Sequence, residues 1–367
     1  MQRAPKPQVP AAPVLPRKGR GAVSNETGRF EAHTRHPVDD GWRAHIEDAA
    51  PKLRTTVSVD ATRSVIARNQ SPDIPFEQSL NPYRGCEHGC VYCFARPTHA
   101  WLGLSPGLDF ESKLLAKPEA AKLLDAELRK PGYKCQVLAM GTNTDPYQPI
   151  EREYRITRQV LEVLSRFNHP VSIVTKSSLV TRDIDILAGM ATRKLAKVFV
   201  SITTLDANLA RKLEPRAASP DRRLAAISEL AAAGIPVGVM VAPVIPVLTA
   251  NDTERVLEAA KKAGAASAGY ILLRLPLEIK DLFAEWLDVH APMKAKHVLS
   301  LMRETRGGKL YDSTFGARFV GQGPYADLIR TRFRLACQRL GLNQNAWLLD
   351  TTRFRAPARI GDQLSLL

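Results

Sequence analysis

The sequence predicts an α/β fold: a partial (β/α)6 TIM-type barrel with a disordered basic N-terminal tail and a helical C-terminal extension. Between residues 80 and 300, short β-branched or apolar segments alternate with longer helical segments about every 30 residues. Six such units fit this stretch, whereas a complete eight-stranded barrel needs about 250 residues. Chemistry in such folds lies at the carboxyl ends of the strands.

Each predicted strand is a short apolar run, and each predicted helix has apolar residues at helical spacing. The strands are Gln136–Met140, Val171–Thr175, Lys197–Ile202, Val237–Ala242 and Gly269–Leu273. The helices are Pro118–Leu128, Ile156–Phe167, Asp183–Met190, Pro220–Ala233 and Asp252–Ala263. Gly234 and Pro236 mark the end of the fourth helix, because glycine favours a helix C-terminus and proline cannot continue the helix.

Changes in composition along the chain predict four regions. Residues 1–40 are rich in proline, arginine and glycine and are expected to form the basic tail, with a patch at 17–20. Residues 41–78 lead into the fold, 79–292 form the barrel core, and 293–367 form the helical extension. Arginines are frequent and acids sparse in this extension; the arginines are Arg303, Arg306, Arg318, Arg330, Arg332, Arg334, Arg339, Arg353, Arg355 and Arg359.

The chain has 367 residues and a formal net charge of +15. Such an excess favours a polyanionic partner, nucleic acid first, although a basic surface that only aids solubility fits the composition equally well. The longest apolar stretch, Gly234–Leu248, is interrupted by prolines and is too short to span a bilayer. No secretory signal is apparent, so a cytoplasmic protein without membrane contact is expected.

Three of the five cysteines lie within eight positions, which points to metal binding in a reducing compartment. The segment from Asn81 to Pro97 reads NPYRGCEHGCVYCFARP, so Cys86, Cys90 and Cys93 have the spacing C-x3-C-x2-C. Three thiolates on one short loop can bind three irons of a [4Fe–4S] cube and leave the fourth iron open. The alternative is a structural zinc site with His88 or His99 as fourth ligand, but such sites usually take cysteines in two separated pairs.

The motif, with the aromatic Tyr92 before the last cysteine, resembles that of the radical S-adenosylmethionine superfamily. Within it, the chain is similar to the spore photoproduct lyase-like branch, also described as DNA repair photolyase-like, over residues 79–275. Further matches stand at the predicted strand ends and in one loop: GTNTDPYQP from Gly141, VTKS from Val174, VSIT from Val200, EPRAASPDR from Glu214 and MVAPV from Met240.

The resemblance implies an enzyme with one [4Fe–4S] cluster and S-adenosylmethionine as cofactors. In such enzymes the cofactor is reductively cleaved to a 5′-deoxyadenosyl radical that abstracts hydrogen from the substrate. The electron comes from an external donor such as flavodoxin or ferredoxin. A lyase-like reaction on an unidentified substrate, with nucleic acid as a candidate, is what this branch implies.

Five residues are candidates for binding S-adenosylmethionine. Lys176 matches the lysine of the family at a strand end and suits the cofactor carboxylate. Ser201 and Thr142 can bond the ribose hydroxyls or the amino group. Tyr92 can stack near the adenine, and Ala242 leaves room for it. For each, strand-end capping, core packing or a surface position is the alternative.

Other residues near these strand ends allow two interpretations. Asp145 either shapes a turn or serves the site, and Glu214 and Arg216 either pair with each other or border the substrate. Spore photoproduct lyase uses a cysteine just after the second strand to return hydrogen, whereas Gly141 and Thr142 stand there in this chain.

A second hypothesis is a non-catalytic nucleic-acid-binding protein whose metal loop is structural. A cofactor cradle at Lys176, Ser201 and Ala242 distinguishes the two hypotheses, because a structural metal loop does not need one.

Overall fold

The computed structural model of the chain describes residues 16–35, 53–345 and 347–358. The strands of this part are β1 Thr56–Val59, β2 Ile66–Arg68, β3 Gln78–Leu80, β4 Tyr83–Arg84, β5 Lys113–Ala116, β6 Leu138–Met140, β7 Val171–Thr175, β8 Ala196–Ser201, β9 Val237–Val244 and β10 Ser267–Leu272. Its α-helices are α1 Leu108–Ser112, α2 Ala120–Leu128, α3 Glu151–Tyr154, α4 Ile156–Arg166, α5 Ile184–Thr192, α6 Ala207–Leu213, α7 Pro220–Ala232, α8 Thr253–Lys262, α9 Ile279–His290, α10 Pro292–Glu304 and α11 Pro324–Arg339.

The main sheet has seven strands in the order β10-β9-β8-β7-β6-β3-β2. Six of them, β3 and β6 to β10, are parallel, and β2 pairs antiparallel with β3 at one edge. The strand order follows the chain, so the carboxyl ends of the six parallel strands lie along one edge. This arrangement confirms the predicted α/β fold with a parallel sheet.

The helices cover the sheet because each buries one apolar stripe. In α4, Val160, Leu161 and Leu164 are fully buried in the main core. Helix α7 begins at Ser219, whose hydroxyl accepts a hydrogen bond from the Arg222 N–H, with Pro220 in the first turn. The predicted strands and helices of this part agree with the structure to within two residues at nearly every end.

A second, smaller sheet has the order β1-β5-β4. Residues 16–35, expected to belong to a disordered tail, instead pack against α1, where the Leu108 N–H donates to the Ser24 carbonyl at 3.3 Å. Arg20 of the predicted basic patch is buried, and its guanidinium donates to the Glu111 and Leu53 carbonyls, each at 2.6 Å. The rest of the predicted tail, 1–15 and 36–40, lies outside the described residues.

The predicted helical C-terminal extension is present, as α10 and α11. Many of its arginines form ion pairs with carboxylates, which offset their positive charge: Arg318 with Asp73, Arg330 with Asp327, Arg332 with Glu254, Arg339 with Glu258 and Arg353 with Asp350. Arg306 is buried on backbone carbonyls, and Arg359 lies outside the described residues. None of the helices in the described ranges is long and apolar enough to cross a membrane.

Candidate active site at the cysteine loop

The three clustered cysteines lie on the loop between β4 and a short 3-10 helix, Arg96–Leu102. Glycine is required at two positions of this loop. Gly85 and Gly89 have φ values of 75° and 67°, a region that residues with a side chain rarely adopt. A Cβ at Gly85 would lie 2.8 Å from the Phe110 carbonyl oxygen. The two glycines therefore allow a tight loop that packs closely on its neighbours.

Cys86, Cys90 and Cys93 all carry free thiols, and the first two are buried. Burial raises the pKa of all three thiols. A buried thiol becomes a thiolate readily only when a cation compensates the charge, and an iron cluster supplies that compensation.

Three parts of the fold fix the backbone of the cysteine loop. The Cys86 N–H donates to the Phe110 carbonyl at 3.0 Å, and the Val91 N–H donates to the Leu213 carbonyl at 3.1 Å. The Glu87 N–H donates to the side chain of Gln148 at 2.9 Å. These contacts hold the loop between α1, α6 and the segment that follows β6.

A buried ion pair holds the backbone of the cysteine loop. The Arg96 guanidinium donates to the Cys90 carbonyl at 2.9 Å and forms an ion pair with Glu111, and both side chains are fully buried. Glu111 also accepts hydrogen bonds from the Gly21 and Ala22 N–H groups, at 2.9 and 2.7 Å. The N-terminal segment, Glu111 and the loop thus form one connected unit.

The zinc alternative depends on a fourth ligand that the structure engages elsewhere. His88 faces Asp145, with 3.4 Å between Nδ1 and Oδ2, and His99 Nε2 lies 2.9 Å from the Lys113 carbonyl oxygen. No three His, Cys, Asp or Glu side chains in the described ranges gather around a single ion site. A [4Fe–4S] cube binds each cysteine to a different iron, so it does not need the thiols to converge on one point. The donor set, three free thiols from one loop, fits such a cube.

Lys176 stands just after β7 and points across the strand ends. Its Nζ lies 2.9 Å from the Ala242 carbonyl oxygen, 3.2 Å from Thr203 Oγ1 and 3.2 Å from a Glu214 carboxylate oxygen. It also lies 5.6 Å from the centre of the Tyr92 ring. Three of the five predicted cofactor residues, Tyr92, Lys176 and Ala242, therefore meet at this place.

Glu214 is the centre of this group. Its carboxylate is fully buried and accepts hydrogen bonds from the hydroxyls of Tyr92 and Thr203, and it forms ion pairs with Arg223 and Lys176. Burial alone raises the pKa of Glu214, but the Arg223 and Lys176 cations lower it well below its usual range. The two cations thus favour the anionic form of Glu214 beside the cysteine loop.

The other two predicted cofactor residues lie at the same sheet edge with different partners. Ser201 ends β8, and its carbonyl accepts a hydrogen bond from Arg223 at 2.9 Å. The Thr142 hydroxyl bonds to the side chain of Asn81, at 3.0 Å, and not to the Lys176 ammonium. Ser201 therefore joins the Glu214 group through Arg223, whereas Thr142 stands apart from it.

Asp145 fixes the position of Lys176. Its carboxylate accepts hydrogen bonds from the Thr175 hydroxyl and from the Lys176 N–H, both at 2.7 Å. It also accepts from the Tyr147 N–H at 2.9 Å, which shapes its own turn. The two interpretations of Asp145 are therefore joined, since the turn residue also orients the lysine.

Sequence reasoning missed Thr203 and the partners of Glu214. Glu214 does not pair with Arg216, which instead forms an ion pair with Glu87 at 3.2 Å. Thr203 stands two residues after Ser201, on the same predicted strand end, and this position was the available signal. Arg223, a partner of Glu214, lies in the first turn of α7 next to Arg222, and nothing in the sequence marks which of the two arginines meets Glu214.

Comparison with known proteins identifies the family to which residues 80–260 belong. Residues 80–260 match the model of the Radical SAM superfamily. Uncharacterized proteins of Mycobacterium tuberculosis and Mycobacterium bovis are 38% identical over 226 residues, which make up 60% of this chain and 66% of theirs. The match thus spans just under two thirds of the length of these relatives.

A solved structure gives the same fold. Spore photoproduct lyase with bound AdoMet and dinucleoside spore photoproduct has a TM-score of 0.55 and 17% sequence identity, over 78% of this chain and 80% of that chain. At this identity the likeness concerns the fold. Together with the family match and the cysteine loop, it places residues 80–260 in the radical SAM superfamily, whose cofactors are a [4Fe–4S] cluster and S-adenosylmethionine.

Proposed function

We propose that this chain is a radical SAM enzyme in which Cys86, Cys90 and Cys93 ligate the cluster. The observation that carries the proposal is that the loop with the three free thiols also carries Tyr92, whose ring centre lies 5.6 Å from the Nζ of Lys176 at the end of β7. When bound, the cluster and S-adenosylmethionine supply a 5′-deoxyadenosyl radical that abstracts hydrogen. An external donor such as flavodoxin or ferredoxin provides the electron in this proposal.

The proposed cofactor site uses the five predicted cofactor residues in distinct ways. The Lys176 ammonium suits the cofactor carboxylate, because its present partners include the anion Glu214. The Tyr92 ring packs beside it, and Ala242 adds little bulk next to the lysine. Ser201 and Thr142 offer hydroxyls at the same sheet edge for the polar groups of the cofactor.

The test is anaerobic reconstitution of the cluster, followed by dithionite, S-adenosylmethionine and a search for 5′-deoxyadenosine and methionine. Replacing Cys86, Cys90 and Cys93 with alanine is expected to abolish both the iron and the product. A matched control replaces Cys135 and Cys337, which lie outside the loop, and is expected to retain iron. Anaerobically purified protein with stoichiometric zinc and no iron would contradict the proposal.

We also propose nucleic acid as the substrate class, in a lyase-like reaction. The net charge of +15 supports it, and so does the dinucleoside bound by the lyase structure described above. Repair of spore photoproduct itself is not proposed, because spore photoproduct lyase returns hydrogen from a cysteine just after the corresponding strand. In this chain Gly141 and Thr142 follow β6, and Cys135 lies before it.

Salt dependence tests the choice of nucleic acid. Affinity for a short duplex is expected to fall with a log–log slope of about −0.9 per neutralised phosphate, and for a single strand with about −0.7. Because five arginines of the C-terminal region are paired with carboxylates, we expect few phosphate contacts and a shallow slope. Absence of binding to both at low salt would remove nucleic acid as the substrate class.

A further inference from the structure

Arg274 follows β10 at the same edge of the sheet as the cysteine loop, and its guanidinium makes no hydrogen bond or ion pair within the described residues. Its Nε is buried and unpartnered. Burial lowers the pKa of Arg274, the direction expected of a cation that has lost water without gaining a carboxylate. Buried cations are ordinarily paired, so an unpaired guanidinium at this position leaves its donors available to a ligand.

Two aromatic rings contact the guanidinium of Arg274. The guanidinium carbon lies 4.4 Å from the centre of the Phe94 ring and 4.8 Å from that of Phe319. The series continues, with Arg318 lying 4.8 Å from Phe319 and 4.9 Å from Phe315. We call the series Phe94, Arg274, Phe319, Arg318 and Phe315 the aromatic–arginine ladder.

The ladder begins at the cysteine loop and ends in solvent. Phe94 directly follows Cys93, and its side chain is 42% exposed, while Phe315 at the far end is 56% exposed. The loop carrying Phe319 is fixed to the sheet, since the Leu272 N–H donates to the Phe319 carbonyl at 2.8 Å. A molecule on the ladder would therefore lie next to the proposed cluster.

The charges around the ladder are out of balance. Asp73 neutralises Arg318 through two short hydrogen bonds, at 2.8 and 2.6 Å. Arg306 lies near Arg274, is buried, and donates to the carbonyls of Ala317 and Leu273 instead of to a carboxylate. Two positive charges thus share this place without a carboxylate partner among the described residues. The Nε of each is unpartnered, but the terminal nitrogens of Arg306 donate to carbonyls, whereas the Arg274 guanidinium makes no hydrogen bond there.

We propose that the aromatic–arginine ladder binds the substrate, with Arg274 holding a phosphate and Phe94 stacking on a neighbouring base. This inference rests on the proposed function and specifies where its nucleic-acid substrate binds. An arginine with free donors suits a phosphate, because its planar fork forms two parallel charge-assisted bonds. Exposed aromatic rings bind single-stranded bases by stacking.

The experiment measures binding of a short fluorescein-labelled single-stranded DNA, and of an abasic strand of equal length, to the anaerobically reconstituted enzyme. Arg274→Gln is expected to lower the affinity for both strands at least about tenfold, since a charge-assisted phosphate contact is lost. Phe94→Leu is expected to lower the affinity only for the strand that carries bases, because the abasic strand offers nothing to stack on the ring. The control, Arg334→Gln, removes an exposed charge from α11 that has no carboxylate partner among the described residues, and both affinities should stay within about twofold of wild type.

Iron content reports whether each variant still holds the cluster. Arg274→Lys keeps the charge but not the planar fork, so we expect an affinity between those of wild type and Arg274→Gln. Equal affinities of Arg274→Gln and Arg334→Gln would overturn the proposal. So would loss of cluster iron in both Arg274 variants, because that result assigns Arg274 to packing. The binding assay involves no cleavage of S-adenosylmethionine, so failure of the ladder and failure of the proposed activity are read separately.

Discussion

The buried ion pair beneath the cysteine loop provides a test of what holds the site together. Glu111→Gln keeps the shape of the side chain and removes its charge. Arg96 and Glu111 are both fully buried, and Glu111 is the carboxylate partner of Arg96. Breaking a buried pair by neutralising one member costs about 3–5 kcal/mol, because the other charge stays buried and uncompensated. That is a large part of the 5–15 kcal/mol by which domains are ordinarily stable.

The assay is urea unfolding under anaerobic, reducing conditions, followed by tryptophan fluorescence. We expect the free energy of unfolding of Glu111→Gln to fall by about 3–5 kcal/mol. The bound iron should also fall, because Arg96 holds the Cys90 carbonyl.

Glu258→Gln is the matched control, since Glu258 pairs with the exposed Arg339 and such pairs contribute about 0–1 kcal/mol. A Glu111→Gln variant that unfolds like Glu258→Gln would refute the reasoning.

Three further predictions concern the strand ends and the helical layer. Lys176→Ala should weaken S-adenosylmethionine binding about ten- to a hundredfold by calorimetry, through loss of a charge-assisted bond. Gly141→Ala should lower the free energy of unfolding by at least about 1–3 kcal/mol, because the φ of Gly141 is 89° and a Cβ would lie 1.9 Å from a backbone oxygen of β7. Gly307→Ala should lower it less, because open space surrounds Gly307. Burial alone raises the pKa of Glu254, but the hydrogen bonds that it accepts from Arg332 lower this pKa below 4.5. The Glu254–Arg332 pair therefore stabilises the folded protein above pH 4.5, and this stabilisation is lost as the pH falls through the pKa of Glu254 in the folded state. Urea unfolding across pH should therefore show Glu254→Gln less stable than wild type at neutral pH and equal to it in acid.

The barrel strands and helices could be predicted because their signals are local. Val171–Thr175 is a β-branched run that agrees with β7 at both ends, and Ile156–Phe167 differs from α4 by one residue. Strands β1 to β5 were not predicted, because segments of two to four residues are too short to show a period. The smaller sheet was therefore invisible to sequence reasoning.

The N-terminal segment and the C-terminal arginines show why composition misled. Arg20 is buried by the Glu111 carbonyl, 91 positions away, and Arg332 and Arg339 meet carboxylates 78 and 81 positions away. No window of sequence contains such partners. The candidate site could be proposed from the sequence only where a motif carries it, at the cysteines and Lys176. Arg274 has no motif, and only the fold brings it near Cys93.

Lys176 is the movable member of the Glu214 group. Glu214 is fully buried and Arg223 is 2% exposed, whereas the Lys176 side chain is 15% exposed and has a flexible stem. If Lys176 turns to a cofactor carboxylate, Glu214 still keeps Arg223, Tyr92 and Thr203 as partners, so its charge stays compensated. The lysine then exchanges one carboxylate for another, so its own charge stays paired. Arg223 could not do the same, because its departure would leave Glu214 without its buried cation and the Ser201 carbonyl without the Arg223 donor.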